Sequence, residues 1–168
     1  LEQILKVAKI PVGLVPGDEK LPTEKEFQQI SKAGFDFIDI RIAKIPDWMR
    51  QKNGVALFGA IDPDYTLDDL TELSERGFDG IEAAVVPHEG YGDEVTVGDL
   101  QKYIDIVIAC HLPVVVPSQR KINITDIAML RDTGVKAIMI GAIVTGKSPQ
   151  TVEYHTKFFR RAIDTLGE

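Results

Sequence analysis

Apolar positions along this chain recur with two different periods, and the two periods take turns. Short runs rich in Val, Ile and Phe read as strands at 11–17 (PVGLVPG), 35–43 (FDFIDIRIA), 55–63 (VALFGAIDP), 78–87 (FDGIEAAVVP), 112–118 (LPVVVPS) and 135–144 (VKAIMIGAIV). Between them lie stretches with helical spacing at 23–34, 66–77, 96–111 and 123–134, a short helix or turn at 45–54, and a closing helix at 148–167. Thr23 and Glu26 stand at capping-box spacing ahead of Phe27 and Ile30, and Leu67, Leu70 and Leu73 share a helical face. The pattern amounts to about six β–α units of roughly 28 residues each, the order of a parallel α/β protein. No Ser/Gly-rich linker interrupts it, so one domain is expected over 1–168.

A joint recurs inside the pattern. KAGFDFIDI, ERGFDGIEA and DTGVKAIMI share a frame of helix end, glycine, bulky apolar residue and strand. Gly34, Gly77 and Gly134 occupy the place where a helix needs a left-handed cap before the chain turns back. Within 35–43, Ile38, Ile40 and Ile42 alternate with Phe37, Asp39 and Arg41; in the repeat frame Glu82 falls where Asp39 does. One face is therefore apolar and the other carries charge in mid-strand. Strands of an open doubly wound sheet, covered by helices on both sides, read apolar on both faces. Charge on one face fits a lumen, so the expected fold is a TIM-barrel-like (β/α) parallel barrel with its site at the C-terminal strand ends. Such a barrel closes with eight strands and six units are visible. A chain opening on Leu1 leaves an incomplete N-terminus as one expectation, and a partner copy completing the barrel as another.

Composition narrows the partners. The chain has 168 residues, 44% hydrophobic and 27% charged, with a net charge of −7, which speaks against DNA or RNA as a partner. No apolar run approaches the roughly 20 residues of a membrane span, and no signal peptide is visible, so no membrane partner is expected. The lone Cys110 forms no intrachain disulfide, which fits a cytoplasmic home and a packing role. A homo-oligomer is the expected assembly.

The stretch GAIVTGKS at 141–148 matches the pattern of a nucleotide-binding P-loop. Such a loop normally follows the first strand of its sheet, whereas here about 20 residues remain and read as one helix. Ile143 and Val144 read as continuing strand, and Ser148–Pro149 as an ordinary N-cap and first helical position. A phosphate monoester without NTP chemistry is the anion reading that survives, held by Gly141, Gly146 and Lys147.

The last third of the chain resembles the phosphate-binding end of TIM barrels of the ribulose-phosphate-binding type, such as indole-glycerol-phosphate synthase, thiamin-phosphate synthase and N-acetylmannosamine-phosphate epimerase. The similarity runs through VVVPSQRKI, NITDIAMLRDTG, VKAIMIGAIVTG and SPQTVEYHTKFF, with Gly134 and Gly141 in register. It implies a phosphate held by backbone N–H groups at 118–120 and 141–146, with Ser118, Arg120, Gly141, Thr145, Gly146 and Lys147 as site residues. Gln119 and Arg120 stand where the family often has a glycine.

For chemistry, Asp39 and Glu82 come from equivalent repeat positions and are expected to project into one lumen, as a general acid and base or as ligands to Mg²⁺. Asp62 ends a strand, Lys44 follows one, and His88 lies in the Gly-rich loop VVPHEGYG; each is a further candidate for proton transfer. The bland alternatives are ion pairing for the two carboxylates, an Asp-Pro turn for Asp62 and solvation for Lys44 and His88. The expected function is a lyase or isomerase acting on a small phosphorylated metabolite. The alternatives are a metal-dependent aldolase-type barrel and a non-catalytic metabolite-binding barrel.

Overall fold

The computed structural model describes residues 2–17, 21–42, 45–50, 54–71, 73 and 75–167. Six strands form one sheet: β1 (Gly13–Leu14), β2 (Phe37–Arg41), β3 (Ala56–Ile61), β4 (Gly80–Ala83), β5 (Val114–Pro117) and β6 (Ala137–Met139). Every neighbouring pair is parallel, and the spatial order is the order in sequence. That order decides between the two architectures. A doubly wound sheet reverses direction at a switch point; consecutive right-handed crossovers keep all helices on one side and curl the sheet. The result is six strands of a (β/α) barrel, curled but with β1 and β6 as edges among the described residues.

The helices are α1 (Glu2–Val7), α2 (Glu24–Ala33), α3 (Leu67–Thr71), α4 (Val97–Cys110), α5 (Ile127–Asp132), α6 (Ala142–Thr145) and α7 (Pro149–Asp164). The Thr23–Glu26 capping box opens α2, and an equivalent box of Thr96 and Asp99 opens α4. Gly34, Gly77 and Gly134 all have positive φ, as the repeated joint requires. Two elements depart from the sequence reading. Residues 141–144, read as strand, turn instead into α6: Gly141 leaves the sheet, and its carbonyl accepts the N–H groups of Val144 and Thr145 and the Thr145 hydroxyl. The first helix, α1, has no clear periodic signature, since Ile4 and Val7 remain exposed.

Strand alternation assigns the two faces. Ile38, Ile40, Leu57, Ile61, Ile81, Ala83, Val114 and Val116 point toward the helices and form one buried cluster with Phe27, Leu70, Ile106, Leu130 and Phe159. Each large member contributes roughly 1.5–3 kcal/mol by leaving water. Cys110 is buried in the same cluster, and burial pushes its thiol up from the ordinary value. The opposite residues face the lumen in layers. Phe37 and Phe58 fill its lower part with ring centroids 5.2 Å apart. Gly13 and Gly80 make room for them, because a Cβ on either would overlap a ring. Above that floor the lumen opens. Among the described residues no helix is long and apolar enough to cross a membrane.

Candidate active site

The register of the parallel strands sets Asp39 beside Phe58, and Phe58 beside Gly80. Two residues on, the next layer toward the C-terminal mouth is Arg41, Ala60, Glu82 and Val115. Glu82 thus stands one layer above Asp39 and two strands away. Ala60, on the strand between, carries only a methyl group and leaves the diagonal open. The Asp39 and Glu82 side chains face each other across it, and the interaction with Glu82 pulls the Asp39 pKa down against burial.

Two neighbouring carboxyl groups disfavour ionising together, so the site favours keeping one proton. Burial raises the Asp39 pKa from its ordinary 3.8, opposed by the interaction with Glu82. Asp39 is 2% exposed, and its Oδ1 has no hydrogen-bond partner although it is shut off from solvent. An unsatisfied buried oxygen is uncommon and costs roughly 1–3 kcal/mol. Both carboxyls line a cavity of about 310 Å³ at the C-terminal ends of β1–β5. The rest of the wall includes Arg41, Asp62, His88, Tyr91 and Gln119.

Asp62 lines this cavity while its Oδ1 accepts the Asp64 N–H at 3.1 Å, so the turn role and the cavity position coexist. His88 starts a 3-10 turn, His88–Gly90, and its ring stacks on Tyr91 with centroids 4.5 Å apart. Lys44 lies outside the described residues.

The six phosphate candidates sit apart from these groups: none of them lines the 310 Å³ cavity. Most of their donors are engaged within the protein. The Gly141 N–H donates to Ser118 Oγ at 2.7 Å, the Gly146 N–H to the Ala142 carbonyl at 3.0 Å. The Thr145 hydroxyl is shared by the Gly141 and Gly146 carbonyls. Arg120 donates through Nε and Nη2 to Asp99, at 2.9 and 3.3 Å, and through Nη1 to the Gly90 carbonyl at 2.8 Å. The Ser118 hydroxyl proton and the exposed Lys147 ammonium remain for a ligand.

Mg²⁺ would require both carboxyls ionised, and it prefers an octahedron of oxygen ligands. The raised Asp39 pKa works against that full ionisation. Among the described residues no group of three or more His, Cys, Asp or Glu could hold an ion. Asp39 and Glu82 are two carboxyls facing one cavity, short of a ready-made cluster of protein ligands.

Two residues that sequence reasoning passed over shape the mouth. Gln119 is buried and ties the β4 and β5 ends together: its Oε1 accepts the Val86 N–H, and its Nε2 faces the Ala84 and Val86 carbonyls and the Tyr91 hydroxyl. The Gly-rich loop that held His88 was the available signal for Tyr91; Gln119 showed itself only as a departure from a glycine.

No protein-family model matches the chain, and no curated protein sequence does. Solved structures do match. The tryptophan synthase A-subunit of Pyrococcus furiosus superposes with a TM-score of 0.70 at 11% identity, over 97% of this chain and 70% of that one. The chain folds as a TIM barrel. The N-acetylmannosamine-6-phosphate 2-epimerase of Clostridium perfringens gives 0.63 at 19% identity, over 93% and 73% of the two chains. The native KDPGal structure gives 0.65 at 12%, over 98% and 72%. The likeness of fold therefore runs along nearly the whole chain and is not confined to the last third. At these identities the likeness is one of fold.

Proposed function

We propose that this barrel is a lyase or isomerase that moves protons on a small phosphorylated metabolite. The observation that carries the reading is the Asp39–Glu82 pair: a buried carboxyl with a raised pKa beside a second carboxyl, both facing a cavity at the C-terminal strand ends. Environments that push two carboxyls apart in proton affinity supply an acid and a base together.

Glu82, nearer the mouth, is the carboxylate that takes a proton from a carbon beside a carbonyl. Asp39, deeper and with its proton affinity raised by burial, gives a proton to the carbonyl oxygen. The C–H electron pair becomes the new C=C bond of an enediol. Glu82 then returns its proton to the neighbouring carbon while Asp39 takes the proton of the other enediol hydroxyl, which becomes the new carbonyl and completes an isomerisation. If Glu82 instead takes a hydroxyl proton, the adjacent C–C bond breaks and the enol oxygen receives the proton of Asp39, which is a lyase step. The phosphate is assigned to the Ser118 hydroxyl, Lys147 and the 141–147 turn. Support for that assignment comes from the resemblance of the last third and from a neighbour named for a 6-phosphate substrate.

The test is deuterium uptake from D₂O into the carbon-bound positions of dihydroxyacetone phosphate, followed by proton NMR. The protein is expected to accelerate uptake, with and without a chelator. Asp39→Asn and Glu82→Gln are each expected to slow it by about 10²–10⁴-fold. Uptake that is unaffected by both substitutions overturns the reading.

A further inference from the structure

The cavity rim carries a hydroxyl whose direction is set by a buried amide. Val86 donates its N–H to Gln119 Oε1 at 3.0 Å, which fixes which end of the amide is oxygen. Gln119 Nε2 therefore donates, and its shortest contact, 2.6 Å, is the Tyr91 hydroxyl oxygen. Conjugation keeps a phenolic O–H in the ring plane, on one side of the oxygen or the other. With one side taken by the incoming amide N–H, the Tyr91 proton lies on the other. Among the described residues Gln119 is the hydroxyl's only hydrogen-bond partner, and Tyr91 lines the cavity. Its ring is held by the stack on His88. The loop beneath is pinned as well: the Gly92 N–H reaches the Gln119 carbonyl at 2.9 Å, the Lys121 N–H the Asp93 carbonyl at 2.8 Å, and Arg120 the Gly90 carbonyl.

We infer that Tyr91 donates its hydroxyl proton to an oxygen of the substrate, and that Gln119 is the positioning residue that aims it. The chemical class recognised is a hydroxylated or carbonyl-bearing carbon chain bound in the cavity that Tyr91 lines. The inference rests on the phosphorylated-metabolite reading above and adds the group that discriminates the carbon portion of such a substrate from its phosphate.

The test measures dissociation constants by titration calorimetry for two probes, glycerol 1-phosphate and methyl phosphate, with the wild type, Tyr91→Phe, Gln119→Glu and the double variant, each checked for cooperative unfolding. Tyr91→Phe is expected to weaken glycerol 1-phosphate about three- to tenfold and to leave methyl phosphate unchanged. Gln119→Glu turns the partner into an acceptor and draws the Tyr91 proton toward itself. It should therefore weaken glycerol 1-phosphate when Tyr91 is present and have no further effect in Tyr91→Phe; a merely structural Gln119 would act equally in both. Unchanged glycerol 1-phosphate affinity in Tyr91→Phe, or equal loss of both probes, overturns the inference alone. Failure of the wild type to bind either probe overturns the phosphorylated-metabolite reading and this inference with it.

Discussion

Asp99, the third residue of α4, holds the guanidinium of Arg120 from the end of β5 in a two-point contact, 2.9 Å from Nε and 3.3 Å from Nη2. Both side chains are largely shut off from solvent, at 6% and 14% exposure. Removing one partner of such a pair leaves the other charge buried alone, which costs about 3–5 kcal/mol. Arg120→Ala is therefore expected to lower the thermal midpoint sharply, and Arg120→Lys, which cannot reproduce the fork, to recover part of the loss. Thermal denaturation followed by circular dichroism reads both.

The same pair sets a pH dependence. Burial pulls the Asp99 carboxyl upward, but hydrogen bonds from Thr96 and Arg120 and the charge of Arg120 outweigh it and hold the carboxyl below its ordinary 3.8. The native state then binds fewer protons than the unfolded chain, so this stabilisation is fully present above about pH 4 and is lost as pH falls through the native value. In Arg120→Ala the acid unfolding midpoint should move to higher pH, measured by fluorescence of Trp48.

Asp39 has the opposite sign. Its raised pKa means that the native state binds more protons than the unfolded chain, so stability falls as pH rises from about 4 toward the native value. Asp39→Asn removes that slope and keeps the shape. It is expected to stabilise the fold at neutral and alkaline pH by on the order of 1–2 kcal/mol while slowing proton transfer. Urea unfolding at several pH values reads the difference, which should shrink as pH falls.

The lumen floor gives a steric prediction. The Phe58 ring lies over Gly80, where a Cβ has no room. Gly80→Ala is expected to cost about 1–3 kcal/mol by overpacking, and pairing it with Phe58→Leu should recover part of the loss. Chemical denaturation of the single and double variants measures the coupling.

What the amino-acid pattern revealed and what it hid divide along physical lines. Strand alternation assigned Asp39 and Glu82 to the lumen, because a period of two is a property of neighbours in sequence. The glycine joints at 34, 77 and 134 were readable because a left-handed cap demands that residue. The contact between Asp39 and Glu82 was less visible: it depends on a diagonal between layers and on the small Ala60 between them. The Gln119 and Arg120 bonds have no sequence period, since their partners lie between 21 and 35 residues away. Likewise Gly141 carried a phosphate expectation that rested on its amide, and only folding shows that amide donating to Ser118.

That bond leads to the last expectation. If a phosphate sits at the 141–147 turn, its charge must be met by groups with donors to spare, and Arg120 has spent its own on Asp99 and Gly90. Lys147 is exposed and carries a full positive charge. Lys147→Ala should weaken binding of inorganic phosphate about three- to tenfold, with little change in stability. Arg120→Lys, which still folds in this account, should leave phosphate affinity near the wild-type value. Ser118→Ala should weaken binding too, because it removes the hydroxyl proton and the anchor of the Gly141 amide together. Phosphorus NMR titrations at fixed ionic strength separate the three, and a Lys147→Ala protein that binds phosphate as the wild type does would move the anion elsewhere. The reverse pattern, with Arg120 dominant, would mean that the Asp99 contact opens when ligand arrives.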